Sequence, residues 1–178
     1  RDSAGVIEAV AAGAEVIHSS MNGLGERTGN AATEEVAAML EILCQVDTGV
    51  NLNKMMDVSV LIENLTNRPV HPNKPIVGRT LFDVETGIGV DIIRKLGKKG
   101  FDMPISSFVP GLVGQSEGNL VLGKNSGRAT IEYYLEKHGY TATKEQTAEI
   151  VNIVKNEGRL QRALLSDVQF KAICERVL

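Results

Sequence analysis

A glycine-rich stretch at residues 22–30 holds the residue types most able to do chemistry. Its glycines let the backbone approach a ligand closely and adopt positive φ angles. Glu26 and Arg27 place opposite charges side by side, and Asn30 ends the stretch with an amide oxygen. Such an oxygen is a hard ligand that suits Mg, Mn or Ca and is tolerable for Zn. The stretch is therefore a candidate site for a divalent metal or a small ligand.

The same residues also have structural interpretations. Asn30 precedes a predicted helix, and because Asn is a preferred N-cap, spacing alone favours a cap over a ligand by roughly three to one. Glu26 and Arg27 can form a structural ion pair. His18 stands alone shortly before the stretch. For such a histidine, a structural role with hydrogen bonds inside the protein is favoured over metal ligation.

The elements around the stretch indicate an α/β fold. Apolar residues at helical spacing predict a first helix that ends near Gly13. Residues 14–20 have the pattern of a short strand, and residues 31–46 predict a helix with one apolar face. Helix, strand, glycine-rich loop and helix in this order are typical of the last part of a parallel α/β fold. Ligands of such folds bind at the carboxyl ends of the strands, where this stretch lies.

The rest of the chain predicts mostly helices. A helical stretch at 55–65 is followed at 67–75 by a loop with three of the five prolines, where we place a domain boundary. Further helices are predicted at 91–96 and 128–138, and a short strand at 120–122. Two capping boxes predict the starts of the last two helices. They pair Thr143 with Gln146 and Ser166 with Gln169.

Charge and composition exclude several classes of partner. The formal net charge is -3, which argues against nucleic acid as a partner, since phosphate binding needs clustered cations. The basic cluster at 94–99 is short, and a solvated helix end is favoured there over contact with an anion or a coenzyme A phosphate. No apolar run approaches the ~20 residues that span a bilayer. Cys44 and Cys174 show no metal or disulfide spacing, so we expect buried free thiols and a cytoplasmic protein.

The glycine-rich stretch resembles a signature of the acyl-CoA-dependent Claisen synthases, the homocitrate synthase and 2-isopropylmalate synthase family. The stretch reads Asn22-Gly23-Leu24-Gly25-Glu26-Arg27-Thr28-Gly29-Asn30 and continues Ala31-Ala32-Thr33-Glu34-Glu35-Val36. The resemblance implies a TIM barrel that binds a divalent metal (Mg, Mn or Zn) through an Asp, two His of a His-x-His motif and the Asn at position 30. Residues 1–68 would then be the C-terminal part of the barrel, and 69–178 post-barrel helical subdomains.

The chain departs from this family at several positions. It contains no His-x-His pair, and the resemblance implies that Arg1-Asp2 directly follows that motif. Val84 and Gly89 stand where relatives have His, the second of which is implied in proton transfer. An acid at 83, 85 or 91 can substitute as the base, but a structural role at a helix start is favoured for all three. The stretches at 108–114 and 122–128 resemble the post-barrel region more loosely, with Asn125 where relatives often have His.

The resemblance implies a metal-dependent acyltransferase that condenses acetyl-CoA, as co-substrate, with a 2-oxo acid, and acts as a homodimer. Glu26 and Arg27 are the catalytic candidates, and Asn30 is the metal ligand. The short segment after Arg128 favours a homocitrate or citrate synthase-like type, and the fragment alone is expected to be inactive. Two alternatives stay open: a metal-dependent carbon–carbon lyase on the same barrel, and a non-catalytic dimerising or accessory chain.

Overall fold

A computed structural model of the chain describes residues 3–26, 29–97 and 105–178. Seven α-helices lie in these residues, and they are labelled in chain order. They are α1 Ser3–Ala11, α2 Thr33–Ala38, α3 Met55–Thr66, α4 Gly87–Gly97, α5 Arg128–His138, α6 Lys144–Gln161 and α7 Asp167–Val177. Short 3-10 turns lie at Met21–Gly23, Leu52–Lys54 and Pro110–Val113, and a π-helical turn at Met39–Leu43 extends α2.

The described residues form isolated β-bridges and no β-strand, which corrects both predicted strands. Residues 14–20 are not helical, and their one bridge is parallel, from Ser20 to Ala32. In the segment predicted at 120–122, Leu120 bridges to Val84 and Leu122 to Leu165. A strand needs a neighbour that pairs along its length, and the described residues offer these segments partners at single positions. The α/β barrel is therefore not seen in this part of the chain.

Contacts divide the chain into two compact units. The first comprises the described residues of Arg1–Leu81 together with Phe108–Glu117, and the second comprises those of Phe82–Ser107 with Gly118–Leu178. The sequence-based division separates the end of a barrel (1–68) from post-barrel subdomains (69–178). It stays a prediction, because the two compact units are defined by contacts within the chain.

The first unit has two small apolar clusters that hold α1, α2 and α3. One joins Val36 of α2 and Leu40 of the π-turn to the predicted apolar face of α1. The other joins Ala37 to Leu52, Met55 and Val77. The predicted helix at 31–46 is shorter than expected: its regular part ends at Ala38, and the π-turn leaves Leu43 exposed.

The second unit is a helical assembly around one larger core. Helices α5, α6 and α7 supply most of that core, with Phe170, Ile150 and Val154 fully buried. Both predicted capping boxes are confirmed: the Gln146 amide N–H donates to Thr143 Oγ1 at 3.2 Å, and the Gln169 N–H donates to Ser166 Oγ at 3.3 Å. These caps set where α6 and α7 begin.

The basic cluster predicted at 94–99 is described only in part. Arg94 pairs with Glu136 at 2.6 Å and Lys95 with Asp91 at 2.7 Å, near the end of α4. This agrees with the helix-end interpretation for the two described cations. Lys98 and Lys99 lie outside the described residues, as do Arg1 and Asp2.

Candidate functional site

The glycine-rich loop of the first unit is anchored at its entry by Asn22. This residue has a left-handed backbone, with φ 58°. Its side-chain amide donates to the Ser59 carbonyl at 3.0 Å, and Ser59 Oγ donates back to Asn22 Oδ1 at 2.6 Å. Ser59 lies on α3 and is buried. The loop therefore starts from a conformation that two reciprocal hydrogen bonds to a neighbouring helix hold in place.

A buried carboxylate makes the second anchor. Glu34, in the first turn of α2, is fully buried, and its Oε2 accepts a hydrogen bond from the Asn22 N–H at 3.0 Å. Lys74 Nζ lies 3.1 Å from Glu34 Oε1 and donates to Glu35 Oε1 at 2.6 Å. The contact with Glu34 is an ion pair rather than an aligned hydrogen bond, since Glu34 Oε1 has no hydrogen-bond donor among the described residues.

This arrangement keeps Lys74 charged. Burial by itself lowers the pKa of the Lys74 ammonium, but the hydrogen bond to Glu35 and the charge of Glu34 outweigh it. The pKa therefore lies above its ordinary value of 10.5. Ser3 Oγ completes the group by donating to Glu35 Oε2 at 2.6 Å.

Asn30 folds back over the loop that precedes it. Its backbone N–H donates to the Gly23 carbonyl at 3.2 Å, and its side-chain Nδ2 donates to the Leu24 carbonyl at 3.1 Å. A Cβ atom on Gly25 would lie 2.1 Å from Asn30 Nδ2. Only glycine at position 25 leaves room for this side chain, so Gly25 and Asn30 form one packed feature.

Asn30 is not a helix cap. The N-cap of α2 is Ala32, which has no side-chain capping bond, so the N-cap interpretation of Asn30 is wrong. The Ser20 N–H donates to the Ala31 carbonyl, and the Thr33 N–H donates to the Ser20 carbonyl. This pairing pulls the chain extended up to Ala32, which moves the start of the helix beyond Asn30.

Asn30 and His18 line one concavity of about 650 Å³. Its wall also includes Ser19, Ile17 and residues of α1. His18 is exposed and makes no hydrogen bond with a described residue, so the structure does not supply the satisfied structural role expected of it. Since Nδ2 of Asn30 is engaged, its Oδ1 is the atom without a donor among the described residues.

The two catalytic candidates are less well placed. Glu26 is exposed, and it forms no ion pair with a described residue. Arg27 lies outside the described residues, so the ion pair proposed between the two is untested. Neither residue is brought against Asn30 by any contact that the described part of the chain shows.

The described residues contain no group of three or more His, Cys, Asp or Glu side chains that could hold a metal ion. The fit to the metal implied by the resemblance is therefore partial. Asn30 offers one hard oxygen at a concavity, and one oxygen does not hold an ion. Further ligands would have to come from outside the described residues.

The two positions where the family resemblance implies His, 84 and 89, form an apolar contact in the second unit. A Cβ atom on Gly89 would lie 2.8 Å from Val84 Cγ1 and 3.0 Å from Thr86 Oγ1. The glycine is buried, so a larger side chain there would displace its neighbours. Val84 and Gly89 therefore match each other in size, and neither can transfer a proton.

The acids near Gly89 are held by hydrogen bonds. Asp83 Oδ1 accepts from the Asn119 backbone N–H at 2.9 Å, and Glu85 Oε1 accepts from the Asn125 backbone N–H at 2.8 Å. Asp91 pairs with Lys95. These contacts support the structural role that the sequence favours for all three.

Sequence reasoning did not single out Glu34, Lys74 and Ser59. One signal was available for Glu34, since it stands at helical spacing from Ala37 and Ala38, which are buried. A charged residue on the inner face of a helix predicts a buried ion pair. No sequence pattern pointed to Ser59 or Lys74.

Comparisons with known proteins agree with the resemblance. The family model described as HMGL-like matches residues 3–62, which include the whole glycine-rich loop. The chain is 39% identical over 172 residues to a protein of Ignicoccus hospitalis named "Probable 2-isopropylmalate synthase", covering 97% of the chain and 41% of that protein.

Two further relatives carry related names. An (R)-citramalate synthase of Methanocaldococcus jannaschii is 39% identical over 98% of the chain and 34% of its own length. A homocitrate synthase of Methanothermobacter thermautotrophicus is 34% identical over 96% of the chain and 42% of its own length. The chain thus spans between about a third and two-fifths of the length of these relatives.

Proposed function

We propose that this chain is part of a metal-dependent acyltransferase, because it is similar to proteins named as 2-isopropylmalate, citramalate and homocitrate synthases. The reaction condenses acetyl-CoA with a 2-oxo acid. The observation that carries the proposal is Asn30, whose amide oxygen lies at a concavity inside the matched region. Its side chain is positioned by the close approach of Gly25.

The bound metal would polarise the keto group of the 2-oxo acid. The role of this chain would be to supply one oxygen ligand, from Asn30, and to fix its position. Asn22, Glu34 and Ser59 fix the start of the loop, and the hydrogen bond from Nδ2 of Asn30 to the Leu24 carbonyl turns Oδ1 away from that carbonyl. A ligand whose amide is already oriented loses less entropy on binding.

The proton-transfer step needs a group other than the residues at 84 and 89. Glu26 and Arg27 remain the proposed catalytic residues, because they lie in the same loop as Asn30. We also propose that the protein is a homodimer, that it is cytoplasmic, and that its specificity is homocitrate or citrate synthase-like. Among the described residues, no helix is both long and apolar enough to cross a membrane.

The metal-ligand role is tested in the whole gene product that carries this chain, with Mn²⁺, whose paramagnetism broadens nearby NMR signals. We expect the Asn30 side-chain amide signals to broaden first, and Asn30→Ala to abolish selective broadening of the loop. Asn30→Asp should retain it, since a carboxylate keeps the oxygen ligand. Asn156→Ala, on the exposed side of α6, is the matched control and should change nothing.

The reaction is tested in the whole gene product that carries this chain, with acetyl-CoA and a panel of 2-oxo acids. We expect thiol release with one of the acids, and its loss in Asn30→Ala but not in Asn156→Ala. Absence of thiol release with every acid would contradict the acyltransferase. Cleavage of a hydroxy acid in its place would identify the carbon–carbon lyase, and restored activity only on mixing with a second chain would identify an accessory subunit.

A further inference from the structure

We propose that the second unit has a binding site for a small ligand with two or more phosphate groups. The site is the cationic cleft, which consists of two adjoining concavities. Its basic lining residues are Lys124, Arg128, Lys155, Arg159 and Arg162. The inference does not depend on the reaction proposed above.

The cleft has the size of a ligand site. The two concavities have volumes of about 550 and 780 Å³, within the range of roughly 300–1,000 Å³ that is usual for small-molecule sites. Lys124 and Arg159 line both of them. A ligand with charged groups at two ends can therefore reach cations in both concavities at once.

The charge of the cleft is not neutralised by the protein. Among the described residues, four of the five lining cations form no ion pair, and Arg128 alone pairs, with Glu132 at 2.6 Å. The lining also contains Glu85 and Asp91; Asp91 is already paired, and Glu85, whose partner is a neutral amide, offsets one of the four unpaired cations. Glu85 accepts two hydrogen bonds from Asn125, and Asp91 pairs with Lys95.

This concentration of cations stands out in a chain whose formal net charge is -3. Clustered like charges raise the local concentration of counter-ions of the opposite sign. The cleft therefore attracts anions although the protein as a whole does not.

The fold brings these cations together in spite of their repulsion. Lys155 and Arg159 lie one turn apart on α6, where like charges destabilise a helix. Between them lies Gly158, where a Cβ atom would lie 2.7 Å from the Lys124 backbone nitrogen. The glycine lets α6 pack directly on the turn that carries Lys124, so that cations from two segments face one space.

A purely structural explanation covers only part of the cluster. Arg159 lies in the last turn of α6 and Arg162 follows the helix, and cations at a helix C-terminus are stabilised by the helix dipole. Lys155 lies inside the helix and Lys124 lies in a turn, so the dipole does not account for either. A bound anion accounts for all four.

Phosphate groups fit this set of side chains best. Arg binds phosphate oxygens with two parallel hydrogen bonds, and Lys adds a compact point charge. Two sources of the same chemistry are possible: the diphosphate and 3′-phosphate of coenzyme A, and a separate phosphorylated metabolite.

The proposal is tested by titrating the chain with inorganic diphosphate, followed by NMR shifts and calorimetry. We expect saturable binding that weakens as salt is added, because exposed charges are screened. In the double variant Lys155→Gln with Arg159→Gln, binding should weaken roughly ten-fold or more for each cation lost, since a hydrogen bond to a charged group is worth at least that factor. Lys124→Gln alone serves as a second variant if the double variant does not fold.

The matched control is the double variant Arg68→Gln with Lys171→Gln, which removes the same charge from exposed positions outside the cleft. Equal weakening in both double variants would overturn the site, because it would show only a general effect of charge. No saturable binding would also overturn it. Displacement of diphosphate by coenzyme A would identify the co-substrate as the source, and binding of diphosphate alone would identify a separate phosphate compound.

Discussion

The residue that most affects the candidate site is Glu34, although it does not touch the proposed metal position. Its carboxylate is fully buried, and it connects the loop entry at Asn22 with the ammonium of Lys74. Burying a carboxylate is costly unless its partners are well placed. Here the partners are the Asn22 N–H at the loop entry and the Lys74 ammonium from the segment before Leu81. Glu34 therefore makes the shape of the loop depend on the packing of the first unit.

We expect Glu34→Ala to reduce the free energy of unfolding by about 3 kcal/mol, as is found when one partner of a buried ion pair is removed. Urea unfolding followed by circular dichroism measures this loss. Glu132→Ala is the control: its exposed pair with Arg128 on α5 is one turn apart, and its loss should cost less than about 1 kcal/mol. Similar losses in both variants would show that Glu34 does not anchor the loop.

At the scale of elements, the ends of helices are set by local side chains. Helices α6 and α7 each begin where a hydroxyl and a glutamine satisfy each other's backbone groups. Helix α5 is followed by Gly139, its C-cap, which has a positive φ of 72°. The extended segments at 14–20 and 120–122 behave differently. Their backbone groups need partners from elsewhere in the chain, so their apolar pattern is not enough to make them strands.

Removing the cap of α6 should destabilise the second unit modestly. Thr143→Ala eliminates the acceptor for the Gln146 N–H, and loss of an N-cap costs about 1 kcal/mol. Thermal or urea unfolding gives the value. Thr141→Ala, an exposed residue two positions earlier, should change stability by less than about 0.5 kcal/mol. If the two substitutions have the same effect, the capping box contributes nothing beyond helix propensity.

At the scale of the whole molecule, the two units differ in how they bury their apolar residues. The second unit has ten buried residues in one cluster, whereas the first has two small clusters of four and three. Large apolar side chains stay exposed in both units, among them Val16 at 79% in the first and Leu160 at 84% in the second. Cys174 is fully buried in the larger core, as predicted, whereas the prediction that Cys44 is buried is wrong. Cys44 follows the π-turn and is exposed there.

We expect one thiol to react quickly in the native protein and the other only when the second unit opens. Burial, and to a lesser degree the charge of Glu175, raises the pKa of Cys174 from 9.0 to about 11. At pH 8 such a thiol is roughly one part in a thousand thiolate, the reactive form. A chromogenic disulfide reagent should thus detect Cys44 at once and Cys174 only as urea is added. Cys44→Ser should remove the fast reaction, and a persistent fast reaction in that variant would contradict the buried core.

The raised pKa also has a consequence for stability. Cys174 binds its proton more tightly in the folded state than in the unfolded state. Its contribution to the free energy of unfolding is therefore complete below about pH 9 and is lost as the pH rises through about 11. Unfolding at increasing pH should therefore become easier in this window. A Cys174→Ala variant should lack this part of the pH dependence.

The amino-acid sequence by itself indicated the family resemblance, the candidate loop with Asn30, and the helices whose signals are local. Capping boxes and helical periodicity act between residues three or four positions apart, and for that reason α5 and the starts of α6 and α7 were predicted closely. The tertiary structure decided that residues 14–20 pair at one position only, that Asn30 packs on Gly25 rather than capping a helix, and that Glu34 is buried against Lys74. These outcomes depend on contacts between residues distant in the chain, whose free energies no local pattern contains.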